Sequence, residues 1–188
     1  VNQAAHGEGN ALIVASQFNC LMQITDRGVM TPVWLAPLVD RLVAEDRCHL
    51  NGLAVEDGRP KLATALSGSI APASWRSDPH NGCLVDVASN VVLAEDLSMP
   101  HSPRLHHGRV WLHQSGSGGF GYLEGTRFIE VAFCPGYPRG LQFVDRVAVV
   151  GVSKPRDLPG RTALPFVTRL ASASAEAICG VLFIDTAT

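Results

Sequence analysis

LNGLAVEDGRPKLATALS, residues 50–67 of a chain of 188 residues, has the pattern of a β-hairpin. Apolar residues dominate both of its arms, and Asp57-Gly58 stands between them, where a tight turn requires residues that tolerate a positive φ. The second arm ends in Ser67. This stretch therefore predicts two antiparallel strands joined by a short turn.

The same pattern of strand, turn and strand occurs twice more. HSPRLHHGRVWLHQS (residues 101–115) has His107-Gly108 at the turn, and PRGLQFVDRVAVVGVS (residues 138–153) has Asp145-Arg146. A copy of the second strand alone, LIVAS, lies near the start of the chain. Each copy ends in a serine, at positions 16, 67, 115 and 153. A recurrence every 40 to 50 residues or so, with four short strands per unit, is typical of β-propeller blades.

Short apolar runs predict the other strands of each unit. Third strands are predicted at 20–25, 83–88, 120–124 and 179–185, and fourth strands at 29–35, 91–95 and 128–133. The fold class is therefore all-β, a single domain of about four four-stranded propeller blades, with repeats at about 11–46, 47–98, 99–136 and 137–188. An antiparallel sandwich is the alternative, but it does not predict the recurring serine.

The predicted repeats are incomplete at both ends. The first repeat is expected to lack its innermost strand, and the last to lack its outermost one. A partial propeller, completed by further residues or by a partner chain, is therefore expected, with a small self-closed ring as the other option. Residues 154–176 form a long insertion rich in Pro, Ala, Ser and Arg, which predicts a surface loop.

Composition excludes several classes of function. The net charge of −2 offers no basic surplus for a phosphate backbone, so we expect no nucleic-acid partner. No apolar run is long enough to span a bilayer, so we expect no membrane partner. The first ten residues lack the pattern of a signal peptide, and the five scattered cysteines are typical of reduced core thiols. A cytoplasmic location is therefore predicted.

Four blocks carry a resemblance to a known family. EDRCHLNGLA (residues 45–54), LSMPHSPR (97–104), PGYPRGL (135–141) and VGVSKPR (150–156) together span most of the chain. They resemble an uncharacterised bacterial family of unknown function that carries an EDRCHLNGLA-type block. Members of that family look longer at both ends, which favours a partial propeller.

A more distant resemblance involves residues 50–54. LNGLA is similar to the Pro-Asn-Gly-Leu-Ala strand of the gluconolactonase and strictosidine-synthase type of six-bladed propeller. In that superfamily the Asn binds a catalytic divalent metal, which implies a metal role for Asn51 and a divalent metal as the cofactor. The acidic ligands that accompany the Asn have no identifiable counterpart in this sequence.

Alignment of the repeats places Asn51, His101 and Arg139 at equivalent positions, one on each innermost strand. Ligands of propellers bind where these strands begin, so the three side chains are expected to converge there. His49, Arg104 and Tyr137 lie within a few residues of them and complete the predicted site.

The chemistry of these residues indicates an anionic or polyhydroxylated small molecule as the partner. Arg104 and Arg139 can each bind a carboxylate or phosphate through two N–H groups, and Asn51 and Tyr137 complete the predicted ligand contacts. His101 and His49 are the predicted catalytic residues, because histidine transfers protons near neutral pH. In the alternative interpretation, the Arg and Asn side chains bond to backbone carbonyls between blades. Seven histidines also suggest a metal bound by several of them, with candidates at 49, 101, 106, 107 and 113.

Three functions follow from this pattern. The first is a small-molecule-binding propeller, as an enzyme or a binding protein. The second is a non-enzymatic platform for protein interactions, since the sequence contains no complete catalytic motif. The third is a metal-dependent hydrolase of the lactonase type. Because an incomplete propeller exposes strand edges and apolar sheet faces, a homo-oligomer, most simply a homodimer, is also predicted.

Overall fold

The computed structural model describes residues 4–7, 10–68, 71–76, 78–155 and 164–187. Nearly all of its regular structure is β-strand, arranged in four antiparallel sheets that follow one another along the chain. Each sheet is a meander in which consecutive strands pair, so the predicted all-β propeller architecture is confirmed.

The strands of the first two sheets succeed one another without crossovers. The first sheet consists of β1 (Ala4–Gly7), β2 (Asn10–Ala15), β3 (Cys20–Ile24) and β4 (Met30–Leu35). The second consists of β5 (Leu50–Glu56), β6 (Arg59–Ala65), β7 (Gly82–Asp86) and β8 (Val92–Leu97).

The last two sheets have the same order, with one strand fewer in the fourth. The third consists of β9 (Pro100–His106), β10 (Arg109–Gln114), β11 (Gly119–Glu124) and β12 (Arg127–Phe133). The fourth consists of β13 (Tyr137–Val144), β14 (Val147–Ser153) and β15 (Gly180–Asp185), with helix α1 (Pro165–Ser172) between β14 and β15.

Two of the three predicted hairpin turns have the expected backbone. Asp57 and Gly58 have φ of 49° and 76°, and His107 and Gly108 have φ of 47° and 71°. Two successive positive φ angles match the right-handed twist of the flanking strands, which is why Asp-Gly and His-Gly occur at these positions.

Apolar faces of successive sheets form the core. One cluster joins the first and second sheets, a second joins the second and third, and a third joins the third and fourth. The innermost strands also pack in sequence, β1 against β5, β5 against β9, and β9 against β13. Gly52 permits the close approach of β5 to β9, because a Cβ at this position would lie 2.6 Å from Pro103 Cδ.

Two expectations from the sequence are wrong. The first sheet does not lack its innermost strand: β1 supplies it, and so the first repeat starts before residue 11. Its residues, AAHG, have no alternating pattern, and the pairing with β2 defines the strand. The insertion at 154–176 is more than a surface loop, because it contains α1, whose Phe166 is fully buried.

One face of the fourth sheet is apolar and open to solvent. Its other face carries Ala148 and Val150, which are buried against the third sheet. On the open face, Val144, Val181 and Phe183 are 60%, 57% and 74% exposed. Within the described residues the fourth sheet has three strands, as the sequence predicts for the last repeat. No helix in the described part of the chain is both long and apolar enough to cross a membrane.

Candidate functional site

Asn51, His101 and Arg139 occupy equivalent places in three successive sheets. Each is the second or third residue of an innermost strand, close to the first shift in the register of that strand with its neighbour. Such β-bulges re-aim side chains. The same irregularity in β5, β9 and β13 therefore turns the three side chains towards a common point.

The three side chains meet at one nitrogen atom. His101 Nε2 lies 2.8 Å from Arg139 Nη1 and 3.3 Å from Asn51 Nδ2. Thr64 adds a further hydrogen bond to this group, because its hydroxyl donates to Asn51 Oδ1 at 2.7 Å. The convergence expected from the repeats thus occurs, and we call Asn51, His101 and Arg139 the axis group.

A backbone carbonyl determines the orientation of the axis group. Asn51 Nδ2 donates to the carbonyl oxygen of Pro100 at 3.0 Å, and a carbonyl can only accept. The amide NH2 of Asn51 therefore faces both Pro100 and His101. Because Arg139 is also a donor, His101 Nε2 must carry the lone pair, and the proton of the neutral ring must lie on Nδ1.

His101 is held in its neutral form. It is 5% exposed, and burial together with the charge of Arg139 and the nearby His113 and His49 holds its pKa well below the ordinary value of 6.5. Its Nε2 lone pair faces two donors, so a proton could reach this atom only if Asn51 and Arg139 moved. A catalytic role for His101 stays a prediction, and its geometry suits the positioning of Arg139.

Arg139 is the member of the axis group that solvent reaches. It is half-buried, whereas Asn51 and His101 are both buried. One of its guanidinium nitrogens, Nη1, donates a hydrogen bond to the imidazole of His101, which fixes its position. The arrangement fixes a positive charge beside the propeller axis, on a side chain that is half-buried.

Arg104 and Tyr137 lie in other surroundings. Arg104 Nη1 donates to the carbonyl oxygens of Leu53, at 3.1 Å, and Pro103, at 2.7 Å, and burial lowers its pKa. Tyr137 is buried with its ring centroid 5.1 Å from that of Phe166. It belongs to an apolar cluster at the end of the sheets where β9 and β13 begin, which we call the entrance cluster: Leu66, Met99, Tyr137, Leu164 and Phe166. The ligand-binding roles predicted for Arg104 and Tyr137 stay predictions.

His49 forms a pair that the sequence did not suggest. Its Nδ1 lies 2.9 Å and 3.0 Å from the two carboxylate oxygens of Asp46. Its ring lies 4.1 Å from that of Trp75, which packs against the entrance cluster. His49 directly precedes β5 and lies two residues before Asn51, so the pair is close to the axis group.

The residues around Asn51 do not fit the divalent metal that the distant resemblance implies. A metal would bind Asn51 Oδ1, and that atom accepts the hydroxyl proton of Thr64. Among the described residues, no three His, Cys, Asp or Glu side chains are placed to hold a metal ion. His106 and His107 stack on each other at the β9–β10 turn, the opposite end of β9 from His101. Elemental analysis of protein purified without added metal would test the metal prediction directly.

Sequence reasoning missed Thr64 and Trp75, did not pair Asp46 with His49, and considered His113 only as a metal candidate. His113 is fully buried, and its Nε2 donates to the carbonyl of Gly140 at 3.2 Å, which leaves Nδ1 without a partner within the described residues. Burial lowers the pKa of His113 to about 4. The one available signal was the position of His113, two residues before the recurring serine.

Comparisons with known proteins place the fold and the family. The model of a family described as a domain of unknown function, DUF4915, matches residues 2–188. No curated protein sequence matches the chain.

Three of the solved structures that are similar in fold serve as examples. They are a streptogramin B lyase (13% identity, TM-score 0.51), a protein of unknown function from Bacteroides caccae (14%, 0.53) and regucalcin, a calcium-binding protein from Agrobacterium tumefaciens strain C58 (11%, 0.53). They match 79%, 80% and 96% of this chain, but this chain covers only 47%, 52% and 59% of theirs. The chain thus spans about half the length of these structures, and at such identities the likeness concerns the fold alone.

Proposed function

We propose, for a chain that belongs to the DUF4915 family of unknown function, a small-molecule-binding β-propeller whose ligand is anionic or polyhydroxylated. The ligand binds beside the axis group, with the guanidinium of Arg139 as its anion contact. Asn51 and His101 position that guanidinium. An enzymatic role is compatible with the fold, since one structure of similar fold is a lyase.

The observation that carries the proposal is the convergence on His101 Nε2. Three successive sheets each contribute one polar side chain from an equivalent position, and the donors of two of them meet at the lone pair of the third. Burying three hydrogen-bonded polar side chains costs desolvation energy, and apolar side chains at the propeller axis would avoid this cost. A half-buried guanidinium held by a neutral imidazole is a suitable partner for an incoming carboxylate or phosphate.

The test compares two anionic ligands with a neutral polyol. Gluconate, phosphate and the neutral polyol sorbitol are titrated into the protein at constant ionic strength, with thermal shift and calorimetry as the measurements. We expect an anion to bind, and Arg139→Lys to weaken that binding by about 1–3 kcal/mol, because lysine cannot form two parallel hydrogen bonds with one anion.

Arg127→Lys is the matched control. Arg127 also lies in a strand, but it is 74% exposed and pairs with Glu124 at the surface, so its replacement should leave affinity unchanged. Equal anion affinity in the wild type and in Arg139→Lys would contradict the proposal.

A platform for protein interactions is the second candidate. It is supported by the open face of the fourth sheet, where Val144, Val181 and Phe183 are more than half exposed. We propose a second copy of the chain as the partner, in a homodimer. Light scattering tests this, and a mass that stays at about 20 kDa at every concentration would contradict it.

We also propose a cytoplasmic location, supported by five cysteines that are all free thiols. Burial raises the pKa of Cys48, Cys83 and Cys134 to about 12, so these thiols stay protonated and unreactive. Fractionation of the native cells would test the location.

A further inference from the structure

Two histidines are near the propeller axis, and they differ in what their Nε2 atoms contact. In His101 this atom faces the donors of Asn51 and Arg139. In His49 the two oxygens of Asp46 bind Nδ1 instead. A carboxylate only accepts, so it holds a proton on His49 Nδ1 and leaves the lone pair on Nε2.

The Nε2 atom of His49 has no hydrogen-bond partner within the described residues, and the side chain is 21% exposed. A histidine whose Nδ1–H is held by a carboxylate, with Nε2 open, has the arrangement of a general base. The carboxylate fixes the tautomer and the orientation of the ring.

A second unused group lies against the same ring. The ring of Trp75 lies against that of His49, tilted by 35°, and its Nε1 is buried without a hydrogen-bond partner in the described part of the chain. The partly buried indole packs against the imidazole and so limits the orientations that the ring of His49 can adopt.

We propose that His49 is a general base, with Asp46 as its positioning residue, for a hydroxyl group of the bound ligand or for water. In this step the ligand O–H bond breaks, the proton forms a bond to Nε2, and the electron pair remains on the oxygen. The imidazolium later returns the proton to the product. The nature of the substrate rests on the proposed function; the state of His49 does not.

The test begins with the tautomer, which requires no ligand. Long-range proton–nitrogen correlation spectra of nitrogen-15-labelled protein, at about pH 8, distinguish the two forms of each neutral histidine. We expect His49 to be protonated at Nδ1 and unprotonated at Nε2. Protonation at Nε2 in the wild type would overturn the proposal, whatever any variant does.

The second measurement is the rate at which diethyl pyrocarbonate modifies His49, followed by mass spectrometry. Asp46→Asn should lower this rate by roughly tenfold, the scale on which an orienting carboxylate acts on histidine. Asn is chosen because Asp46 has a φ of 43°, which Asn tolerates.

Asp57→Asn is the matched control, since Asp57 has a φ of 49° but lies in the exposed β5–β6 turn. It should leave the rate unchanged. If Asp46→Asn folds and reacts at the wild-type rate, the proposal is wrong. Failure of anion binding at Arg139 would leave both measurements intact, so the two proposals can fail separately.

Discussion

Two groups of polar side chains lie along the inner strands, and they differ in what they bond to. Arg104, His113 and Ser115 bond to backbone carbonyls, and each reaches the innermost strand of a neighbouring sheet. We call them the bridging group. The axis group bonds mainly from side chain to side chain, with His101 as the shared acceptor.

The difference separates a structural role from a binding role. A carbonyl of β5 or β13 cannot move without its strand, so the bridging group connects sheets rigidly. A side-chain acceptor can be exchanged for a ligand atom at little cost to the backbone. We therefore expect changes in the bridging group to lower stability most, and changes in the axis group to affect binding more than folding.

The largest expected effect is that of Arg104→Ala. Its guanidinium donates hydrogen bonds to the carbonyl oxygens of Leu53 and Pro103. A hydrogen bond from a charged donor contributes about 1.5–3 kcal/mol, so loss of the two bonds should lower the unfolding free energy in urea by about 3–6 kcal/mol. Arg127→Ala, at the surface, should lose less than about 1 kcal/mol. Equal urea midpoints for both variants would place Arg104 outside the bridging group.

Acid should destabilise the protein through His113. Its pKa is lowered to about 4 in the folded state, while the unfolded chain binds a proton near pH 6.5. The unfolded state thus binds more protons between these values, so stability falls as pH decreases from about 6.5 to 4. The loss is on the order of 3 kcal/mol.

Urea denaturation at a series of pH values measures this loss. His101 adds to it in the same direction, because its pKa is also lowered. His113→Gln keeps a donor for Gly140 but does not titrate, so its stability should depend less on pH. A pH dependence equal to that of the wild type would contradict the assignment.

Thr64→Val tests the support of the axis group. Valine matches the shape of threonine but removes the hydroxyl that donates to Asn51 Oδ1. A loss of about 1–2 kcal/mol of unfolding free energy is expected. Anion affinity should fall as well, since the Asn51 amide would no longer be fixed. Unchanged affinity beside reduced stability would move Thr64 and Asn51 into a purely structural role.

The smallest stability effect is expected for Arg139→Gln. Because Arg139 is half-buried and bonds to a side chain, its loss should change the unfolding free energy by less than about 1 kcal/mol. Thermal and urea unfolding of Arg139→Gln and Arg104→Ala, measured side by side, compare the stabilities of the two variants. If Arg139→Gln were as unstable as Arg104→Ala, the axis group would have the same structural role as the bridging group.

Most strands could be predicted from the sequence, because alternation and turn residues are local signals. The strand predicted at 179–185 is observed at Gly180–Asp185, and the strand predicted at 128–133 is observed at Arg127–Phe133. β1 could not be predicted, because its four residues are strand only through pairing with β2. α1 lay in a segment whose composition resembles a loop, and the burial of Phe166 is a tertiary effect.

The site was partly predictable for the same reason. Repeat alignment brought Asn51, His101 and Arg139 together, since equivalent positions of a propeller converge. It also included Arg104, because residue type does not reveal that the acceptor is the carbonyl of Leu53. Asp46 and His49 could not be paired from sequence, since they lie outside regular elements with φ of 43° and 51°.

The outer edge of β15 has a consequence for hydrogen exchange. In an antiparallel pair, alternate amides point away from the partner strand. Those of Gly180–Asp185 that face β14 are bonded, and the others point outwards from the last strand of the described fourth sheet. Deuterium should therefore enter β15 at every second amide, while β14, paired on both sides, stays protected. A β15 in which all amides exchange slowly would reveal that another strand covers this edge.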